Sequence, residues 1–186
     1  MGKETPVIIL GAGPAGIAAA VYLKRAGLNP MILEKQQPGG LLRHAFLVEN
    51  YPGFPQGISG TNLAIQFVQH LIKLGLSITK TEVNRVEHRN NAFIIQTKIG
   101  RLVSSAVIIA SGTKPKKLSI PGAAPLEGKR LFYEPSKILS RTKKRISVIG
   151  GGDIAFDYTL TLLEKGHEVA LLSRSEPVCL PLLKRQ

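Results

Sequence analysis

Two glycine-rich runs hold the residues whose types and spacing could do chemistry: Gly11-Ala-Gly-Pro-Ala-Gly16 and Gly150-Gly-Gly-Asp-Ile-Ala155. Both fit G-x-G-x-x-G/A, follow a short apolar run and open a helix-compatible stretch. The chemistry this spacing serves is dinucleotide binding. Gly11 permits a tight turn, Gly13 leaves room for a pyrophosphate that any Cβ would strike, and Gly16 lets a helix pack close to a strand. Pro14 and Ala15 begin that helix, whose unpaired N–H groups and partial positive charge suit phosphates. Glu34 ends the next apolar run, where its carboxylate can accept hydrogen bonds from ribose hydroxyls; Lys35 follows it.

The second run differs where it matters for selectivity. Gly150, Gly151 and Gly152 repeat the turn, Asp153 and Ile154 start the helix, and Ala155 fills the third small slot. Asp153 also favours the positive end of the helix dipole. After the run Glu168 to Leu172 the chain reads Ser173-Arg174, with no carboxylate. An acid there repels a 2′-phosphate and an arginine can bind one, so Arg174 favours NADPH over NADH. Two dinucleotide sites in one chain suggest electron transfer between two dinucleotides.

Other reactive side chains are sparse. Cys179 is the single cysteine, so no internal disulfide and no Cys-x-x-Cys pair exist, and the cysteine and histidines have no zinc spacing. Cys179 reads as an idle thiol. His44, His70, His88 and His167 read as surface or structural residues, and no catalytic acid or base is nominated.

The positioning elements follow from periodicity. Pro6 to Leu10 is a continuous apolar run, as in a parallel strand covered on both faces. Pro14 to Ala26 predicts a helix closed by Gly27, and Pro30 to Leu33 a second strand. Gln36 to Gly60 is Gly- and Pro-rich without a period, as in a ligand-binding loop. Leu63, Phe67, Leu71 and Leu74 predict a helix over 61–74. Three β-like runs, 77–86, 92–98 and 101–110, predict an antiparallel hairpin or meander with turns at Asn90-Asn91 and Gly100, the last run re-entering the buried sheet and stopping at a glycine turn, Ser111-Gly112. Arg145 to Ile149, Asp153 to Lys165 and Glu168 to Leu172 predict strand, helix and strand again. The tail Leu182 to Gln186 reads as the start of another helix.

The expected fold is therefore α/β, with two Rossmann-type units, parallel sheets, a small antiparallel meander and an incomplete second unit. The expected domains are 1–115, a basic linker 116–144, and 145–186. At 186 residues, 44% hydrophobic and 20% charged, the chain can build a core. No apolar run approaches the roughly 18 residues of a membrane span, and the start does not read as a signal peptide, so a cytoplasmic location without membrane contact is expected. The net charge is +13, and residues 114 to 145 hold ten Lys or Arg against Glu127 and Glu134. Such a surface attracts phosphates, nucleic acid or an acidic electron carrier. The sequence lacks Trp and any aromatic-rich platform, which leaves nucleic acid a minor alternative.

With these residues in hand, the chain resembles the thioredoxin-reductase-like branch of the FAD- and NAD(P)-dependent pyridine nucleotide oxidoreductases over nearly its whole length. The resemblance also rests on Gly39-Gly40-Leu41, Val48-Glu-Asn-Tyr-Pro-Gly-Phe54, Ile58-Ser-Gly60, Ile109-Ala-Ser-Gly-Thr113 and Ile120-Pro-Gly122. It implies FAD in the first site and a nicotinamide dinucleotide in the second. It implies that Gly39, Gly40, Leu41 and Asn50 border the flavin, that the backbone of Val83 meets the adenine, and that Ser111 and Gly112 touch FAD. Thioredoxin reductases place a Cys-x-x-Cys just before the second fingerprint. Here Leu131 to Leu139 has no cysteine, so no dithiol relay is expected. That region is more similar to the cysteine-free ferredoxin– or flavodoxin–NADP reductases, which implies an acidic carrier as acceptor. Family members continue with the rest of the nicotinamide domain and a returning Gly-Asp motif. The expectation is an NAD(P)H:FAD oxidoreductase or its N-terminal part. The alternative is a non-catalytic nucleotide-binding fragment, or half of a split enzyme completed by a complementary chain or a homodimer.

Overall fold

The computed structural model describes residues 4–135, 138 and 144–178. Its elements are β1 (Glu4–Leu10), α1 (Pro14–Arg25), β2 (Met31–Glu34), α2 (Gly60–Lys73), β3 (Ile78–Lys80), β4 (Val83–Arg89), β5 (Ala92–Thr97), β6 (Gly100–Ile109), β7 (Arg145–Ile149), α3 (Asp153–Glu164) and β8 (Glu168–Leu172). Cys179 and the expected tail helix lie outside the described residues.

The chain divides into two compact units. One comprises Met1–Arg43 with Gly60–Thr113, the other His44–Ser59 with Lys114–Gln186. The Gly- and Pro-rich segment 44–59 thus groups with the second unit.

The first unit is a mixed six-stranded sheet in the order β3-β2-β1-β6-β5-β4. Strands β3, β2, β1 and β6 run parallel, and β5 and β4 return antiparallel. The unbroken apolar run of β1 is explained by its two covered faces. Ile9 packs with Ile17 and Ala20 of α1, Ile32 of β2 and Leu71 of α2. Ile8 and Leu10 face the other way, with Leu33 and Ile95, against Val86, Phe93 and Leu102 of the antiparallel strands. Ile8, Ile9, Ile32 and Ile95 are fully buried. By area burial each contributes about 1.5–3 kcal/mol.

The last run of the meander re-enters the parallel sheet as expected: β6 pairs antiparallel with β5 over Gly100–Ser104 and parallel with β1 from Val103 on, so it joins both parts. The β-like run 77–86, in contrast, is two strands. Its first half pairs parallel with β2, Ile32 opposite Ile78, and its second half pairs antiparallel with β5. The break falls at Thr81-Glu82, where the Thr81 N–H bonds the Glu34 carbonyl and the Lys98 N–H bonds the Glu82 carbonyl. Four polar residues, Thr79 to Glu82, span the break, but none is a Gly, Pro, Asn or Asp that would mark a turn. The turn at Asn90-Asn91 is as expected: φ is +50° and +58°, a conformation asparagine tolerates in two-residue hairpin loops.

The second unit contains a parallel pair, β7 and β8, with Arg145 opposite Glu168 and Ile149 opposite Leu172. Helix α3 packs on it through the buried Ala155 and Leu162. His167 is 4% exposed, and its Nδ1 accepts the Lys144 N–H at 3.2 Å, fixing the entry to β7. Among the described residues no helix is long and apolar enough to cross a membrane.

Candidate dinucleotide-binding turns

In the first unit, β1 ends at Gly11, whose N–H donates to the Leu33 carbonyl at 2.8 Å. Gly11 has φ +107°, and a Cβ there would lie 2.3 Å from the Ala110 carbonyl oxygen. A Cβ on Gly16 would lie 1.9 Å from the Gly11 carbonyl oxygen. Both glycines are thus required by the chain itself: the start of α1 is pressed against the end of β1 and the exit of β6. Gly13 is different. Its φ is −77° and ψ −178°, ordinary extended backbone, and a Cβ there meets nothing within 4 Å. No neighbour in the first unit demands glycine at that position. Gly13 caps α1 without any side-chain hydrogen bond, Pro14 starts the helix, and no acidic residue lies in its first turn. The N-terminal amides and the positive end of the dipole are left for an external anion.

Glu34 closes β2 and turns back on the same turn. Its Oε2 accepts the Ala12 N–H and its Oε1 the Gln36 N–H, both at 2.8 Å. A carboxylate has about four acceptor positions, so these two bonds leave it further accepting capacity. Gly39 and Gly40 converge on the fingerprint: the Gly39 N–H donates to the Ala12 carbonyl at 2.7 Å, and a Cβ on Gly40 would lie 3.3 Å from Gly13 Cα. Leu41 follows on a 3-10 turn, Gly40–His44, and is exposed. Ser111 and Gly112 are exposed where β6 ends beside β1. Val83 begins β4 and is half-buried. Asn50 is exposed on the 44–59 segment, which belongs to the second unit.

Sequence reasoning named Lys35 and missed the residues around it. Lys35, Gln36, Lys80, Thr81, Glu82, Lys98 and Ile99 line a cleft of about 490 Å³ next to Glu34. The break between β3 and β4 and the β5–β6 turn bring these residues together, so no local pattern marks them. Thr81 is 6% exposed, and its hydroxyl has no hydrogen-bond partner among the described residues. Glu82 is paired with Lys98 at 2.7 Å.

The second unit repeats the turn. The Gly150 N–H donates to the Leu172 carbonyl at 2.9 Å, as Gly11 does to Leu33, and both bonds close the same 22-residue interval. By this offset Ser173 takes the place of Glu34 and Arg174 that of Lys35. A Cβ on Gly151 would lie 2.4 Å from Ser173 Oγ, while Gly152 has room. Gly152 caps α3 without a side-chain bond, and Asp153 sits in the first turn. Ile154 and Arg174 are exposed.

The histidines fall on packing and surface positions. His70 is exposed, His88 lies against Phe93 at 4.8 Å, His167 is buried, and His44 Nε2 is 3.7 Å from Glu134 Oε2. In the same unit Asp157 accepts a backbone hydrogen bond from Phe46, and burial pushes its carboxyl above the usual range against that bond. Burial, then Glu134 and Asp157, push the Tyr158 phenol up as well. Because the folded Asp157 holds its proton more tightly than the unfolded one, its linkage lowers stability as pH rises past about 3.8. Asp157→Asn, which keeps an acceptor for Phe46, is therefore expected to raise the thermal midpoint at pH 7. The difference should vanish below pH 3.8; an equal shift at both pH values would contradict this origin.

Residues 5–186 match the sequence model of the family described as pyridine nucleotide-disulphide oxidoreductase. The chain is 34% identical over 172 residues to a "34.2 kDa protein in rubredoxin operon" of Clostridium pasteurianum, covering 91% of this chain and 56% of that protein. It is 37% identical over 168 residues to a thioredoxin reductase of Ureaplasma parvum, covering 90% and 54%. The fold superposes on the crystal structure of Lactococcus lactis thioredoxin reductase (FR conformation) with a TM-score of 0.90 at 29% identity, covering 97% of this chain and 60% of that one. The chain spans a little over half the length of the curated relatives it matches.

Proposed function

Because the chain belongs to the pyridine nucleotide-disulphide oxidoreductase family, we propose that its two glycine turns hold FAD in the first unit and NADPH in the second. The reading assigns hydride transfer from the nicotinamide to the flavin, then electron delivery to an acceptor such as an acidic ferredoxin or flavodoxin. The observation that carries it is the repeated turn: two uncapped helix N-termini, each reached by a glycine whose N–H closes the same 22-residue interval onto the neighbouring strand. When bound, FAD supplies the two-electron chemistry. The chain's own residues bind and orient. The α1 amides, Gly13 and Gly40 surround the space for a pyrophosphate, and Glu34 offers its remaining accepting capacity to a ribose. The sequence has no Cys-x-x-Cys, so the electron path proposed here has no dithiol step.

The test is the visible spectrum of the chain with excess FAD, after removal of free flavin, before and after anaerobic NADPH. A retained flavin spectrum that bleaches on NADPH supports the reading. A colourless protein sinks the claim that this chain alone is an oxidoreductase and favours a nucleotide-binding half completed by another chain.

Coenzyme choice rests on Arg174, next to Ser173, which stands where the first unit has the acid Glu34. Replacing it by glutamate removes a charge-assisted hydrogen bond to a 2′-phosphate and adds repulsion. Arg174→Glu is expected to weaken NADPH binding roughly tenfold to a hundredfold and to leave NADH within about threefold. Equilibrium titration with each coenzyme reads this directly, and equal losses for both would refute the role.

A further inference from the structure

The basic stretch after β6 contains none of the residues that form the two glycine turns. Within the second unit, residues 117–133 form a cleft of about 550 Å³, lined among others by Leu118, Ile120, Leu131 and Tyr133, with Lys117 and Glu127 also on its wall. Its apolar side is open: Ile120 is 53% exposed and the adjacent Leu126 43%. The Leu118 N–H donates to the Tyr133 hydroxyl at 2.9 Å, which fixes the ring and leaves the phenol proton for an outside acceptor. Lys117 is already neutralised by Glu127 at 2.8 Å. Lys114, Lys116, Lys129 and Arg130 flank the cleft in sequence and are exposed, with no ion pair among the described residues. An exposed apolar centre with a rim of uncompensated cations has the anatomy of a protein interface that takes an acidic partner. A nucleic acid would ask for stacking rings, and the one aromatic residue lining this cleft, Tyr133, is held at its hydroxyl.

We propose that this cleft is the docking surface for a small acidic electron-carrier protein. The partner's carboxylates meet Lys114, Lys116, Lys129 and Arg130, and one of its apolar side chains packs on Ile120 and Leu126. This rests on the oxidoreductase reading above and gives it a place for the acceptor. Steering by the rim raises the encounter rate and weakens with salt, while the apolar centre supplies contact that salt does not screen.

The test uses the full chain and oxidised, labelled carriers, an acidic ferredoxin and a flavodoxin, with binding followed by fluorescence anisotropy without NADPH. The variants are the triple reversal Lys116→Glu/Lys129→Glu/Arg130→Glu and the single change Ile120→Ser, all at exposed positions, with circular dichroism as the fold check. At least one carrier is expected to bind at low salt, weaken on adding salt, and lose roughly tenfold or more in affinity in the triple variant. Ile120→Ser should weaken the carrier but leave binding of polyglutamate unchanged, because polyglutamate senses charge alone. The proposal is overturned if neither carrier binds at low salt, if both variants bind as the parent does, or if single-stranded DNA binds more tightly than either carrier. Flavin uptake is read from the spectrum of the same samples. A chain that bleaches with NADPH yet binds no carrier refutes the docking surface only. A chain that binds a carrier yet takes no FAD keeps the surface and refutes the oxidoreductase reading.

Discussion

Gly16→Ala is expected to unfold the first unit at temperatures the parent chain withstands. The added methyl would lie 1.9 Å from the Gly11 carbonyl oxygen and 3.3 Å from Ala110 Cβ. The oxygen is backbone at the end of β1, and Gly11 is itself held by its N–H bond to Leu33. Neither atom can swing away as the tip of a long side chain would, so α1 must retreat from the sheet. That retreat loosens Ile17 and Ala20, which pack with Ile9 and Ile32. Overpacking a core costs about 1–3 kcal/mol, and partial loss of helix packing adds to it. For a unit of this size each kcal/mol lowers the melting point by about 4–8 °C, so a fall of about 10–20 °C is expected by calorimetry. Gly75→Ala is the control: φ is +71° with nothing within 4 Å, so it carries strain of about 1–2 kcal/mol without a clash. A Gly16→Ala melt no lower than that of Gly75→Ala would contradict the packing argument.

How much of this was legible beforehand depends on the range of each interaction. The roles of Gly11 and Gly16 follow from spacing because turn, strand end and helix start are within six residues of one another. Glu34 is placed by the same rule, since β1, α1 and β2 form one continuous unit. Its bond to the Ala12 N–H is a tertiary detail that spacing does not encode. The β3–β4 break was hidden because Thr79 to Glu82 hold no Gly, Pro, Asn or Asp to mark a turn, while the hydrogen-bond partner changes from β2 to β5. The grouping of 44–59 with the second unit was hidden for a different reason. The Val48–Ile58 bridge, the Gly57 N–H bond to the Phe54 carbonyl and the Tyr51–Phe54 ring contact do not reach beyond the segment. The contacts that tie it to the rest of the second unit, His44 to Glu134 and the Phe46 backbone to Asp157, span 90 and 111 residues. Neither His44 nor Asp157 carries a local signature.

Gly13→Ala is expected to separate binding from folding. Gly16 is glycine because the protein needs the space, whereas Gly13 has free space on its Cβ side and unremarkable backbone angles. Alanine at this cap position loses at most about 1 kcal/mol of helix-capping preference, so the melting point should fall by no more than about 4–8 °C. A pyrophosphate seated on the α1 amides would have its oxygens where that methyl projects. The loss of FAD affinity is then the overpacking cost at a contact that cannot relax, about 3 kcal/mol, or roughly a hundredfold. Equilibrium dialysis against FAD measures the affinity, and calorimetry without ligand measures the fold. Gly13→Val, with two more methyls in the same open space, should abolish retention at a melting point close to that of Gly13→Ala. If Gly13→Ala holds FAD as the parent does, the phosphates do not lie on this turn, and the first unit binds its ligand elsewhere or binds none. If it melts as low as Gly16→Ala, Gly13 serves the fold, and the glycine left unexplained by the chain's own packing ceases to be evidence for a ligand.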